Sequence, residues 1–260
     1  MAIFNYSCFI ITATLFLFGG MLLISFLSHR VGMREGENAG QHGEASGAIV
    51  SAVFALMGLL VAFTFSGAHS RFDERQRLIV QEANAIKAAY AQLDMLPLSA
   101  QTRLREKFKA YALSRASYYD KLADPAAIKE ELARVDALQK EIWDDVLAAT
   151  EEPRYQQVRR LIVPALKEMN GIVLVRSTAI RTHPPALIWI MLFVLGFACA
   201  GLTGYRSGIL RIPWRFYHAL LAGITSAVLY VILDIEYPRF GLIRLEEVNR
   251  ILVELAKAMR

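Results

Sequence analysis

Small side chains follow one face of an apolar segment and could line a narrow passage. At about 100° per residue they fall within about 100° of one another, and Leu59 and Phe63 border them. Small residues let helices approach closely in a bilayer, so helix packing is one interpretation. The other is a face turned towards the axis of an oligomer, where a pore narrows on apolar rings. The small residues are Gly47, Ala48, Ser51, Ala55, Gly58, Ala62 and Ser66, and the pore-lining candidates are Ala55, Leu59, Ala62, Phe63 and Ser66.

Four charged residues, Arg71, Asp73, Glu74 and Arg75, follow this segment within about one helical turn. One interpretation is a set of lipid-headgroup contacts and i,i+4 pairs, each worth tenths of a kcal/mol. The other is a charged ring that concentrates ions at a pore mouth. The residues alone leave both interpretations open.

Two acidic residues, Asp234 and Glu236, end the last apolar segment. Acids at membrane depth are more often functional than acids on a surface, and Arg239 and Arg244 are possible partners for them. Pro238 indicates that the helix is already ending there, so the alternative is that both carboxylates are simply solvated.

The remaining candidate residues favour no catalytic chemistry. The five histidines share no spacing typical of metal ligands, and the two cysteines lie in apolar segments, where free Cys behaves as a small hydrophobe. No Ser/His/Asp order, glycine-rich phosphate loop or pair of carboxylates in an apolar setting stands out. We therefore predict no enzyme activity, no metal site and no cofactor.

Four long apolar segments carry or flank these candidates, and none contains Lys, Arg, Asp or Glu. A helix of about 17–25 such residues crosses a hydrocarbon layer about 30 Å thick, where backbone polar groups must pair within the segment. The sequence therefore predicts an all-α membrane protein with four transmembrane helices, two before and two after a charged middle. The segments are residues 8–28, 49–65, 186–204 and 216–233.

The charged middle predicts four amphipathic helices joined by short turns, which is typical of an antiparallel bundle. The second apolar segment has no Gly or Pro stop until Pro97, so its helix is expected to continue into this bundle. Residues 29–46 are interpreted as a flexible loop because they are rich in Gly and charge. A final amphipathic helix presents Val248, Ile251, Leu252 and Leu255 on its apolar face.

These patterns predict four regions along the chain. Transmembrane helices 1 and 2 occupy residues 1–70, and an inserted extramembrane helical bundle occupies residues 71–183. Transmembrane helices 3 and 4 occupy residues 184–236, and the C-terminal amphipathic helix occupies residues 237–260.

The run from Ala68 to Arg75, with Glu82-Ala83-Asn84 further on, resembles the segment that leaves the second helix of bestrophin ion channels. The chain also looks like a member of the uncharacterised bacterial family with a bestrophin-like domain. The features that carry this second resemblance are Phe65-Ser66-Gly67-Ala68 before Arg71, the stretch from Glu82 to Ile86, and an Asp-x-acidic-x-Pro-x-x-Gly run formed by Asp234, Glu236, Pro238 and Gly241.

The resemblance implies a homopentamer that conducts small ions through a pore lined by the second helix, with Leu59 and Phe63 near an apolar neck. Two features depart from bestrophins. Thr64-Phe65-Ser66 stands where they have an Arg-Asn-Asn-like run, and the acidic cluster that binds calcium in animal members has no convincing counterpart.

The expected partners are the lipid bilayer, small ions and further copies of the chain, in a bacterial inner membrane. Much of the net charge of +5 sits near membrane edges, and no basic run interleaves with aromatic residues outside the apolar segments, so we expect no nucleic-acid binding. Arginines in the two short connections favour an external bundle, whereas the resemblance favours a cytosolic one, so the orientation stays open. The competing hypothesis for function is a non-conducting, membrane-anchored interaction or sensing module acting through its bundle.

Overall fold

A computed structural model describes residues 2–35, 43–121, 125–213, 215–237 and 246–259. Within these ranges the chain is helical, with two short 3-10 turns at Gln92–Met95 and Pro153–Tyr155 and no β-strand. The all-α architecture predicted from the apolar and amphipathic patterns is confirmed. The helices are α1 Ala2–Glu35, α2 Gly43–Ala91, α3 Leu98–Lys121, α4 Pro125–Ala149, α5 Gln156–Arg181, α6 Ala186–Ile209, α7 Arg215–Glu236 and α8 Glu246–Ala258.

The chain divides into two compact units. The membrane unit comprises Phe4–Ser70 and His183–Ile243, and the bundle unit comprises Met1–Ile3, Arg71–Thr182 and Arg244–Arg260. By length and composition, four helices of the described chain can cross a membrane, and they contain the four predicted apolar segments. The protein is therefore a four-span membrane protein, with the spans paired two and two along the chain.

In the membrane unit, α1 and α6 pack backbone against backbone. A Cβ atom placed on Gly204 would overlap the backbone oxygen of Ser25, and one placed on Gly208 would overlap that of His29. Only glycine permits this approach, as is common where helices associate in a bilayer. Apolar side chains of α1, α6 and α7 then form one core, represented by Leu17, Leu192, Ala222 and Leu229.

In the bundle unit, the last third of α2 packs with α3, α4 and α5 around a core of large apolar side chains. The C-terminal helix α8 completes this core through Leu252, Ala256 and Met259. The helices that α8 packs against were not predicted from sequence. An amphipathic pattern shows that one face of a helix is buried but not which helices cover it. Ile251, expected on the apolar face, is instead exposed.

Two predictions about the helices are corrected. Residues 29–35 and 43–46, expected in a loop, belong to α1 and α2 respectively, and His29 is buried against α6. The extension of α2 ends at Ala91 rather than at Pro97, and a 3-10 turn fills the interval. Pro97 still precedes the first residue of α3, as expected of a residue that cannot continue a helix.

Candidate functional site

One face of α2 in the membrane unit is open. All five pore-lining candidates are exposed, and the largest of them, Leu59 and Phe63, are 54% and 68% exposed. In the described chain, nothing lies within 4 Å of a Cβ atom placed on Gly58. The opposite face carries Met57, Thr64 and Ala68, which are buried. The stripe of small residues is therefore not sealed against other helices of its own subunit, apart from its first residue, Gly47, which lies against the Arg206 guanidinium.

In the bundle unit, the first turns of α2 carry exposed charged side chains. Both Asp73 and Arg77 are exposed there.

The four predicted mouth charges do not share one environment. Asp73 is exposed, whereas Arg71 and Glu74 are half-buried. Glu74 accepts two hydrogen bonds from the Arg77 guanidinium, at 2.6 and 2.7 Å. This i,i+3 pair is of the kind that oppositely charged neighbours form on a helix surface.

Arg75 is buried, whereas a charge at a pore mouth has to be exposed. Its side chain is only 3% exposed. Its Nε donates to the backbone oxygen of Ala179 at 3.3 Å, and its Nη2 donates to that of Thr182 at 3.1 Å. Arg75 therefore caps the C-terminal end of α5, where orphan carbonyls favour a cation.

Asp234 and Glu236 are not solvated, so the alternative interpretation of these acids is wrong. They are 2% and 0% exposed. The Nδ1 atom of His183 lies 2.9 Å from Oε1 of Glu236, and the His183 ring also lies over that of Tyr237. The possible partners Arg239 and Arg244 lie outside the described residues, as do Pro238, predicted to end the helix, and Gly241 of the family-like run.

The sequence model of the Bestrophin-like domain matches residues 15–249, which is most of the chain. The chain belongs to the bestrophin-like family. The resemblance identified from the Arg71 and Glu82 segments is thereby confirmed. No protein of curated function matches the sequence.

Solved structures show the same fold. A crystal structure of a bacterial bestrophin homologue from Klebsiella pneumoniae aligns with a TM-score of 0.69 at 16% identity, over 95% of this chain and 98% of that one. A second crystal structure of a Klebsiella pneumoniae homologue gives 0.67 at 17% identity, over 94% and 98%. At such identities the likeness establishes the bestrophin fold.

A buried charge cluster inside the bestrophin-like bundle was missed from sequence. Glu82 on α2 pairs with Arg115 on α3 and Arg176 on α5, and the three side chains are buried. Nη2 of Arg176 also lies 3.4 Å from Oδ1 of Asn249 on α8, whose Nδ2 donates to the backbone oxygen of Ala116 at 2.8 Å. Burial opposes the charge of Arg115, but Glu82 outweighs it and raises the pKa of the guanidinium.

In the sequence, Glu82 stands out only as part of the Glu82-Ala83-Asn84 run that resembles bestrophins. The signal that could have found the cluster is Arg176, an arginine in an otherwise apolar stretch of α5. Its partners are brought together only by the packing of four helices. Within the described residues, no group of three or more His, Cys, Asp or Glu could hold a metal ion.

Proposed function

We propose that this protein is an ion channel, in which several copies surround an axial pore lined by the exposed face of α2. The observation that carries the proposal is the contrast between the two faces of that helix in the membrane unit. One face is packed through Met57, Thr64 and Ala68, while the other presents Ala55 and Ala62 outwards. In a helix with one buried face, an open stripe of small residues fits a pore axis.

The narrowest point of the proposed pore is a neck formed by Leu59 and Phe63. They are the large apolar side chains bordering the small residues, and both project from the subunit. Rings of such side chains constrict a pore and gate it by dewetting. Beyond the neck, Ser66 and Ser70 begin the polar part of the stripe.

The exposed acid Asp73 and the Glu74–Arg77 pair are assigned to the mouth of the proposed pore. Fixed charges there act by concentrating counter-ions near the entrance. Arg71, half-buried beside them, is assigned to the rim. Arg75 is assigned to holding α5, because its donors are used on backbone oxygens of that helix.

The assembly is proposed to be a homopentamer in the bacterial plasma membrane, as the resemblance to bestrophins implies. The proposal also includes the absence of enzymatic chemistry. The competing function, a non-conducting module that acts through its bundle, requires no axial cavity and no open α2 stripe. It is the outcome if purified particles prove monomeric or lack a central passage.

The test is conductance of the purified protein reconstituted in planar bilayers. Leu59→Ala and Phe63→Ala remove side chains at the neck, and we expect each to raise single-channel conductance by at least about threefold. The matched controls are Leu15→Ala and Phe9→Ala on α1, which are similarly exposed and lie off the stripe. Silent bilayers with folded, oligomeric protein, or equal effects of the neck and control variants, would overturn the proposal.

A further inference from the structure

Two histidines and two serines form a buried hydrogen-bonded network in the membrane unit. Ser25 and His29 come from α1, Ser207 from α6 and His218 from α7. Ser25 Oγ lies 2.7 Å from Nδ1 of His218, whose Nε2 lies 2.9 Å from Ser207 Oγ. Nδ1 of His29 lies 3.0 Å from the same Ser207 Oγ. All four side chains are buried.

The contacts among these four side chains are satisfied when both imidazole rings are neutral. Ser207 donates its one hydroxyl proton to the backbone oxygen of Gly204 at 2.8 Å, so both ring nitrogens beside Ser207 act as donors. His218 then carries its proton on Nε2, and its Nδ1 accepts from Ser25. An added proton on His218 must enter at Nδ1, where Ser25 already donates.

Charging both rings would set two cations against each other, because the ring centroids of His29 and His218 are 6.3 Å apart. Ionisable groups at membrane depth pair, face a cavity or mark a functional site. Of the charged groups in the adjoining turns, Arg30 lies over the Phe26 ring and Glu35 accepts a hydrogen bond from Tyr205. The Arg206 guanidinium lies beside the backbone of Gly47 on α2.

The repulsion between two charged histidines would move one helix more easily than the others. His29 cannot withdraw from α6, because Gly204 and Gly208 hold the backbone of α1 in direct contact with α6. Helix α7 has no such backbone contact with α1 among the glycines of the described chain; a Cβ atom on its Gly223 would meet only the Phe18 side chain, at 4.0 Å. Relief of the repulsion therefore falls on α7, which carries His218.

We propose that this network is a proton-operated latch that fastens the start of α7 to the α1–α6 pair. In the neutral state Ser25 and Ser207 hold His218 in place. Proton uptake on the two rings replaces these bonds by repulsion and releases the first turns of α7. This inference goes beyond conduction, since it concerns helix packing and stands or falls whether or not ions pass.

The test is amide hydrogen exchange of the full-length protein in lipid nanodiscs, followed by mass spectrometry over residues 216–224. The comparison variant is H29N/H218Q, which keeps a donor towards Ser207 from each side but cannot be charged. At about pH 5.5 we expect wild-type α7 to exchange at least about fivefold faster than the variant, with no difference at about pH 7.5. Comparing proteins at one pH removes the intrinsic pH dependence of exchange.

The control is His69→Gln, which removes an exposed histidine of α2 and should leave the acid-induced release of α7 unchanged. Equal exchange of wild type and H29N/H218Q at acid pH overturns the latch. If the double variant does not fold, the wild-type protein alone tests the proposal. The quantity measured is then the amide exchange rate of α7 divided by that of α4, compared between acid and neutral pH. A rise in that ratio on acidification supports the proposal, and a constant ratio overturns it.

Discussion

Glu82 and Arg176 form an ion pair between α2 and α5, ninety-four residues apart in sequence and both at most 1% exposed. Because the second arginine, Arg115, shares the same carboxylate, this buried cluster contains two arginines around the carboxylate of Glu82. A charge left in such a place without its partner is costly, since its desolvation is no longer offset. The pair therefore makes the relative positions of α2, α3 and α5 interdependent.

We expect Glu82→Gln to destabilise the protein by about 3–5 kcal/mol, because it removes the buried carboxylate charge with which both guanidinium groups pair. The measurement is denaturant unfolding in detergent, followed by circular dichroism. The matched control is Glu74→Gln, which breaks the exposed pair with Arg77 and should cost at most about 1 kcal/mol. Similar losses for the two variants would show that the buried cluster contributes no more than a surface pair.

Glu131 on α4 provides a prediction on pH. Burial opposes its ionisation, but hydrogen bonds from Lys121 and Ser114 outweigh this and hold the pKa of the carboxyl below its usual value. A lowered pKa in the folded state means that the stabilisation is present above the unfolded pKa of about 4.3 and is lost as the pH falls through the folded value.

The stability difference between wild type and Glu131→Gln should therefore be largest near neutral pH and shrink on acidification. It is measured as the difference in unfolding midpoint between about pH 7 and pH 3. Glu141→Gln is the control, since the carboxylate of Glu141 is over half exposed in its pair with Lys107. A difference for Glu131→Gln that is constant with pH would contradict the assigned pairing.

Gly204→Ala should separate α1 from α6, because the added methyl group overlaps the backbone oxygen of Ser25 and a backbone atom cannot rotate away. We expect a loss of about 1–3 kcal/mol, as for other overpacked cores. The comparison is Gly19→Ala on α1, where nothing in the described chain lies within 4 Å of the new methyl group. Thermal unfolding in detergent should distinguish them, and an equally stable Gly204→Ala protein would refute the close approach.

The two faces of α2 predict opposite reactivity of introduced cysteines. In a protein lacking Cys8 and Cys199, Ala62→Cys should react with a small hydrophilic thiol reagent and reduce ion flux, since Ala62 lies on the exposed stripe. Thr64→Cys, two residues along on the buried face, should react at least about tenfold more slowly because access requires local opening. Equal labelling of both positions without an effect on flux would argue against a lined pore.

Much of the architecture follows from local patterns in the sequence. The apolar segments without charge gave the four spans, and the three-and-four spacing of apolar residues gave the bundle helices. The buried polar interactions could not be predicted from local patterns. His29, His218 and Ser207 show no common spacing, because their network is formed by three helices that meet in space. From the sequence, Arg75 is one of four neighbouring charges that include Arg71. In the structure it donates to backbone oxygens at the end of α5, a contact that only the packing of α2 and α5 creates.

The sequence by itself determined that the chain crosses a membrane four times, that an amphipathic bundle separates the spans and that it resembles bestrophins. These properties depend on hydrophobicity, helical period and local motifs. Each of these is set by residues that are close together in the sequence. Only the tertiary structure decided which face of α2 stays open, that Asp234 and Glu236 are buried, and that Glu82 joins Arg115 and Arg176. Those outcomes depend on which helix packs against which, because burial and pairing join residues that are far apart in the chain.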